Sequence, residues 1–380
     1  MDDRAMQALH LIALAPVAET TADKNSFGFR EKRSCADAIA QCFNILCRRN
    51  CAQWILEADI KACFDQINHE WILKNIPLNK TILNKWLKAG YIEKGRLFSS
   101  SRGTPQGGII SPVIMNMVLD GLETLINSKF PRWKNLKVNF VRYADDFIIT
   151  AKEKAIIKEQ IIPLVKDFLK ERGLELSDEK SKITHIDQGF NFLSQNIRKY
   201  KGKLLIKPAT ESVQSFKDKI KTIIKDNKGI PAHALIKKLN PVIRGWANYH
   251  KGICAKDTFC KMGNFIFRKI WKWAKRQHSN KGHKWIFTRY FLNNNFSDTR
   301  VFSTGTYEYR LYKIGYIPIR YHVKIAGDAN PYLTEFDQYF VYRQKYRDSL
   351  AKECKQKTTF VHKVNNYSRV ASTKACLKSA

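Results

Sequence analysis

Asp145 and Asp146 form an acidic pair between two short apolar runs, Val138 to Arg142 and Phe147 to Thr150. Asp59 stands near the end of a third run, Gln53 to Ile60 (QWILEADI). Hard divalent cations take carboxylate oxygens, and Mg²⁺ typically uses one or two carboxylates plus substrate phosphates. Two such ions, about 3.5–4 Å apart, stabilise the attacking and leaving oxygens of an in-line displacement. Phosphoryl transfer needs mostly positioning and charge neutralisation, so a few rigidly held carboxylates suffice. The plainer alternative is a solvated turn at Asp145-Asp146 and a helix N-cap at Asp59. Apolar strands running into and out of the pair weigh against it.

The elements that would hold these groups are legible. The runs flanking Asp145-Asp146 read as a β-hairpin, and Gln53 to Ile60 reads as a buried strand with a charge at its mouth. Met6, Leu9, Ile12 and Ala13 are spaced for an amphipathic helix that Pro16 disturbs. Ser34 can cap a second helix to about Arg48. Further helical patterns surround Trp71 and run from Thr81 to Lys88. Arg102 to Gly108 is a loop by its glycines and proline. Ser111-Pro112 opens a long helix to about Ser128. Ala155 to Leu169 reads as an amphipathic helix with a kink at Pro163, ending before Gly173. Short strands follow to about Ile206, and the character changes at Pro208.

From Glu211 to Leu292 helical periodicity dominates, with 19 Lys or Arg against four Asp or Glu. Eight aromatics fall between Trp246 and Trp285 among those basic residues. The tail from about Asn293 is basic, turn-rich and weakly periodic. The whole chain of 380 residues carries a net charge of +33, which would strain a compact fold unless a polyanion screens it. Nucleic acid is the natural partner. No apolar run of about 18 residues supports a membrane, and Asp2 and Asp3 outweigh Arg4 where a signal peptide would be basic. The nine cysteines are an odd number without CxxC pairs. Cys35, Cys42, Cys47 and Cys51 therefore read as reduced, partly buried thiols in a reducing, cytosolic compartment.

Tyr143-Ala144-Asp145-Asp146 (YADD) resembles the active-site box of reverse transcriptases. It does not stand alone. Asp59 to Asp65 (DIKACFD), Gly103 to Pro112 (GTPQGGIISP), Ser26 to Arg30 (SFGFR), Leu176 to Ile183 (LSDEKSKI) and Phe190 to Leu193 (FNFL) resemble motifs of group II intron proteins. Arg244 to His250 (RGWANYH) resembles their maturase or thumb domain, and Pro318 to Tyr332 the region after it. The resemblance covers about residues 2 to 340.

The resemblance implies an α+β fold: a right-hand polymerase palm with partial fingers over 1–207, an all-helical thumb or maturase domain over 208–292, and a basic DNA-binding tail over 293–380. It implies an RNA-directed DNA polymerase that is also an intron maturase, active in splicing and retrohoming. Asp59, Asp145 and Asp146 would be catalytic and hold two Mg²⁺ ions, or Mn²⁺, with the Ile60 backbone carbonyl. Phe64 would exclude a 2′-OH, and Gln106, Gly107, Tyr143, Ala144 and Lys182 would line the nucleotide site. Lys180 is an equal candidate for the lysine that assists pyrophosphate departure. Arg244, Trp246, Asn248, Tyr249, Lys237, Lys238, Lys251, Arg268 and Lys272 would bind RNA. Trp246 and Tyr249, three apart on one helix face, serve either packing or stacking.

The implied partners are group II intron RNA, a DNA primer or target, and dNTPs, in a bacterial cytoplasm and at the nucleoid when bound to DNA. Family members carry a fingers region before the segment that begins here at Asp3. That difference suggests a fragment, a degenerate copy, or a partner fingers chain. Many members also end in an HNH endonuclease with CxxC pairs, whereas Cys354, Cys376 and His362 stand alone. The rival expectation is a maturase that binds RNA without polymerase activity. A reverse transcriptase of another class is a further one, against which RGWANYH argues.

Overall fold

The computed structural model describes residues 2–93, 96–98, 102–104, 107–294, 297–303 and 309–352. The chain folds into two compact units of mixed helix and sheet. One comprises Met1–Phe190, Arg198–Leu204 and the chain from His322; the other comprises Asn191–Ile197 and Leu205–Tyr321.

In the first unit a four-stranded antiparallel sheet is ordered Asn139–Tyr143, Asp146–Ala151, Trp54–Ala58, Lys182–His185. The expected hairpin is present, with Tyr143 opposite Asp146 across a two-residue turn. The residues from Phe147 to Ala151 are all buried, so this strand is covered on both faces. That is why its sequence is continuously apolar rather than alternating. Leu56, Phe140, Phe147 and Ile149 join Ile114, Val118, Leu122, Ile126, Val165 and Leu169 in one core. Each such side chain contributes about 1.5–3 kcal/mol when fully buried.

Several elements differ from expectation. The single long helix after Ser111 is two, Ser111–Leu119 and Leu122–Lys129. Gly121 between them is left-handed (φ +93°), and its N–H and that of Glu123 are taken by Asp23. The helix before Gly173 is a π-helix over Ile156–Ile161, then an α-helix over Ile162–Lys170 with Pro163 in its first turn. A proline N–H is missing where the register changes, so it leaves no donor unpaired there. The first helix runs unbroken through Pro16, Asp2–Thr21. It buries Gln7, Leu14, Ala18 and Glu19, whereas the apolar Met6, Leu9 and Ile12 are exposed.

The second unit contains helices Thr210–Asp226, Ala232–His250, Lys256–Gln277 and His283–Tyr290, followed by a hairpin of Phe291–Asn294 and Ser297–Phe302. Phe216, Ile220, Leu235, Ile243, Ile266, Ile270 and Trp273 face a common core. A three-stranded sheet is formed by Phe190–Phe192, Gln195–Tyr200 and Lys203–Pro208.

Among the described residues after 292, two groups are distinguished. Residues to Tyr321 go with the helices, and those from His322 go with the first unit. The buried Asp37 carboxylate accepts hydrogen bonds from the Arg343 guanidinium at 2.7 Å and the Ile325 N–H at 2.7 Å. Arg33 donates to the carbonyls of Gly327 and Ala329. Polar contacts of this kind have no hydrophobic period, so periodicity could not reveal them. Among the described residues no helix is long and apolar enough to cross a membrane.

Candidate active site

Strand register brings the three aspartates together. Ala58 pairs with Phe147, so the next residues, Asp59 and Asp146, leave the ends of adjacent strands side by side. Asp145 is carried by the turn, whose other residue, Ala144, is left-handed at φ +57°. The Asp59 carbonyl accepts from the Ser177 N–H at 2.8 Å, and Lys61 N–H donates to the Glu175 carbonyl. These bonds tie the segment after the strand to the loop that carries Lys180.

The electrostatics fit a cation site. Burial, then the charges of Asp145 and Asp59, push the Asp146 carboxyl up to about 6. Asp59 Oδ2 is a buried oxygen whose polar company is the Lys180 ammonium, in an ion pair at 3.1 Å. That pairing raises the Lys180 pKa, chiefly through Asp59. No group of three His, Cys, Asp or Glu residues among those described forms a ready-made metal cage. Mg²⁺ does not require one, since substrate phosphates and water complete its shell. The three carboxylates offer the hard oxygen donors that a divalent cation takes. Ile60 follows Asp59 and is buried, bridging antiparallel to Leu176.

Phe64 lies in the short helix Cys63–Gln66 and packs partly buried against the core. Its carbonyl accepts from Thr104 N–H at 2.7 Å, and Ile67 O accepts from Gly103 N–H at 2.7 Å. Gly103 is required here: its φ is +81°, and a Cβ would stand 2.4 Å from Phe64 O. The start of the GTPQGG loop is thus seated on the segment that carries Asp59. Gly107 is left-handed, with no described residue within 4 Å of where its Cβ would stand. Gln106 lies outside the described residues, as do Cys354, His362 and Cys376.

Tyr143 is partly buried, with the Cys35 thiol near its hydroxyl. Burial first, and then that thiol, raise it to about 12. Ala144 is buried. The lysine placed against the carboxylates is Lys180; Lys182 is on the edge strand opposite Glu57, exposed. The seven described cysteines are all free.

In the second unit the expected RNA-binding residues divide into surface basic groups and a packed aromatic. Arg244, Arg268, Lys272 and Lys251 border solvent, as do Lys237 and Lys238. Arg244 lies 5.1 Å above the Tyr312 ring, and Lys237 lies 4.9 Å above that of Tyr309. Asn248 accepts from Lys251, and Lys238 donates to Asn227. Trp246 is partly buried, stacked on Phe216 at 4.5 Å, with its indole N–H given to Ser212. It is engaged in packing. Tyr249 is exposed along one side and donates its hydroxyl to Leu193 O.

Sequence reasoning missed Arg142, Asn116 and Asp120, which meet behind the turn. The single weak signal was an arginine in an otherwise apolar strand.

A family model described as reverse transcriptase (RNA-dependent DNA polymerase) matches residues 1–197. One described as group II intron, maturase-specific domain, matches residues 213–291. Protein YkfC of Escherichia coli is 29% identical over 233 residues, covering 51% of this chain and 60% of that protein. The group II intron-encoded protein LtrA of Lactococcus lactis is 29% identical over 343 residues, covering 65% and 56%. A putative COX1/OXI3 intron 2 protein of Saccharomyces cerevisiae is 28% identical over 232 residues, covering 46% and 27%. The chain thus spans little more than half the length of the first two relatives.

Proposed function

This chain belongs to the reverse transcriptase family and carries a group II intron maturase-specific domain, and we propose that it extends a DNA primer on intron RNA and binds that RNA to promote splicing. The observation that carries the reading is the convergence of Asp59, Asp145 and Asp146 at two strand ends and the turn between them. In this reading the first unit is a palm with partial fingers and the helical unit is the thumb or maturase domain. The partners are group II intron RNA, a DNA primer and dNTPs, in a bacterial cytoplasm.

Asp59 and Asp145 would hold two Mg²⁺ ions, with the Ile60 carbonyl and Asp146 in support. Once bound, the metal supplies neutralisation of the charge spread over the transferring phosphoryl group. The protein's own contribution is placement. The strand ends fix the carboxylates before substrate arrives, so little reorganisation accompanies the reaction. Lys180, exposed and already paired with Asp59, can turn to the leaving pyrophosphate. Phe64 would stand against the sugar of the incoming nucleotide and disfavour a 2′-OH. Gln106 and Gly107 would meet the nucleotide or template, Gly107 through its exposed backbone. Arg244, Lys237, Lys238, Lys251, Arg268 and Lys272 would contact phosphate along intron RNA, which is bound largely through shape and backbone.

Primer extension on an RNA template with Mg²⁺ and dNTPs tests this, comparing the chain with Asp145→Asn. Extension by the first and not the second is expected. No extension by either, with RNA binding intact, would replace the polymerase with an RNA-binding maturase.

A further inference from the structure

Ala144 is held in a conformation that an alanine does not choose. Its left-handed φ of +57° costs about 1–2 kcal/mol for a residue with a Cβ. Such strain persists only where the surroundings over-determine it. The surroundings here close on Ala144 from two sides. On one, Gly28 presses so near that a Cβ on it would lie 2.3 Å from Ala144 N. Its segment is pinned along the strand, with Phe27 N–H donating to Arg142 O and Arg142 N–H donating to Asn25 O, each at 2.9 Å. On the other, the Arg142 guanidinium donates to Ala144 O at 3.4 Å.

One side chain joins the two sides. Asn116, buried on the helix Ser111–Leu119, donates from Nδ2 to Gly28 O at 2.8 Å. Its Oδ1 accepts from Arg142 Nη1 at 3.1 Å. Only a group that donates and accepts at once can do both, and a carboxamide has a separate atom for each task. Arg142 itself is fully buried, and its charge is met by the buried Asp120 at the end of the same helix.

We propose that Asn116 and Arg142 are positioning residues of the reaction, gripping the Ala144 peptide from both sides so that Asp145 and Asp146 are presented in one fixed geometry. Both side chains are buried. They act through the turn, as a brace linking helix, strand and the SFGFR segment. The rate effect rests on the polymerase reading; the effect on the turn does not.

The 380-residue chain is compared with Asn116→Leu, Asn116→Asp and Arg142→Lys. Leucine keeps the volume and loses both hydrogen bonds. Aspartate keeps the acceptor for Arg142 and loses the donor for Gly28. Lysine keeps the charge opposite Asp120 but lacks the planar fork that reaches Asn116 and Ala144 together. Two quantities are read: deuterium uptake of the peptide spanning 143–146, and kcat and KM for dNTP in primer extension. Faster exchange confined to that peptide is expected, with kcat reduced about 10–100-fold at unchanged KM. Asn116→Asp should fall between wild type and Asn116→Leu.

Exchange and kcat like wild type in Asn116→Leu and Arg142→Lys would overturn the assignment. So would exchange that rises throughout the first unit, since the residues would then be structural only. If Asn116→Leu alone melts the whole unit, Arg142→Lys decides. If wild type extends no primer, the polymerase reading fails and exchange at the turn alone decides between brace and filler.

Discussion

Arg343 Nη2 lies 2.7 Å from Asp37 Oδ1, and both side chains are almost entirely buried. The pair joins the start of the helix Cys35–Leu46 to the helix Asp337–Lys352, far apart in sequence. Burial alone would raise the Asp37 carboxyl, but the His322 hydrogen bond and the Arg343 charge hold it at about 2. Removing one partner of such a pair leaves a buried charge uncompensated, at a cost of about 3–5 kcal/mol. Asp37→Asn should lower the denaturation midpoint of the first unit accordingly. A folded-state pKa below the unfolded value near 4 contributes stability above that value and loses it as pH falls toward 2. The gap between wild type and Asp37→Asn in urea melts should therefore be full at pH 7 and shrink below about pH 4. Truncation before His322 should destabilise the first unit too, an outcome a dispensable tail would not give.

Gly28→Ala should disable the site while leaving RNA binding alone. Its added methyl would meet Ala144 N at 2.3 Å, and backbone has no rotamer with which to yield. Overpacking of this kind costs about 1–3 kcal/mol. Primer extension should fall well before the unit melts; wild-type extension in the variant would mean the turn relaxes freely.

Phe64→Ala should admit ribonucleotides. The ring is partly buried, so its removal opens space rather than collapsing the core. Discrimination between dNTP and rNTP should drop roughly 10–100-fold, within what a steric pocket can supply. Unchanged selectivity in single-nucleotide incorporation would make Phe64 an ordinary packing residue.

His250 makes the second unit acid-sensitive. It is buried, with Nε2 against the Ser212 hydroxyl, and burial lowers its pKa to about 4. Trp246 donates to that same hydroxyl, which can then donate to Nε2 of a neutral ring. Because the folded state resists the proton, the unfolded state gains one first as pH falls from about 6.5. Stability should decline between about pH 6.5 and 4, by at most about 3 kcal/mol. His250→Phe should flatten that decline in fluorescence-monitored melts.

RNA affinity should fall steeply with salt. A protein that neutralises six to ten phosphates binds about 10³–10⁵ more weakly at roughly 200 mM salt than at roughly 50 mM. Replacing Arg244, Lys237 and Lys238 should reduce the log–log slope by about one for each phosphate left without its cation. A flat salt profile in filter binding would place the RNA surface elsewhere.

Much of the molecule was determined locally and was readable as such. Alternating or continuous apolar runs produce strands because buried faces demand them, so the Asp145-Asp146 hairpin and the Asp59 strand followed from residue order. The helical character after Pro208 followed from its 3.6-residue period, though not the number or bounds of its helices, and the net charge followed from composition. Tertiary structure decided the rest, because it depends on polar groups meeting across the fold. Which lysine faces the carboxylates is set by the pairing of Glu57 with Lys182, which leaves Lys180 at the mouth. The break at Gly121 and the return of the chain to Asp37 carry no periodic signature, and the helical spacing of Met6, Leu9 and Ile12 marks the face of the first helix that stays exposed. Asn116 reads in sequence as one polar residue in an apolar helix. Only when Gly28 and Arg142 are brought to its two ends does its amide acquire a reason.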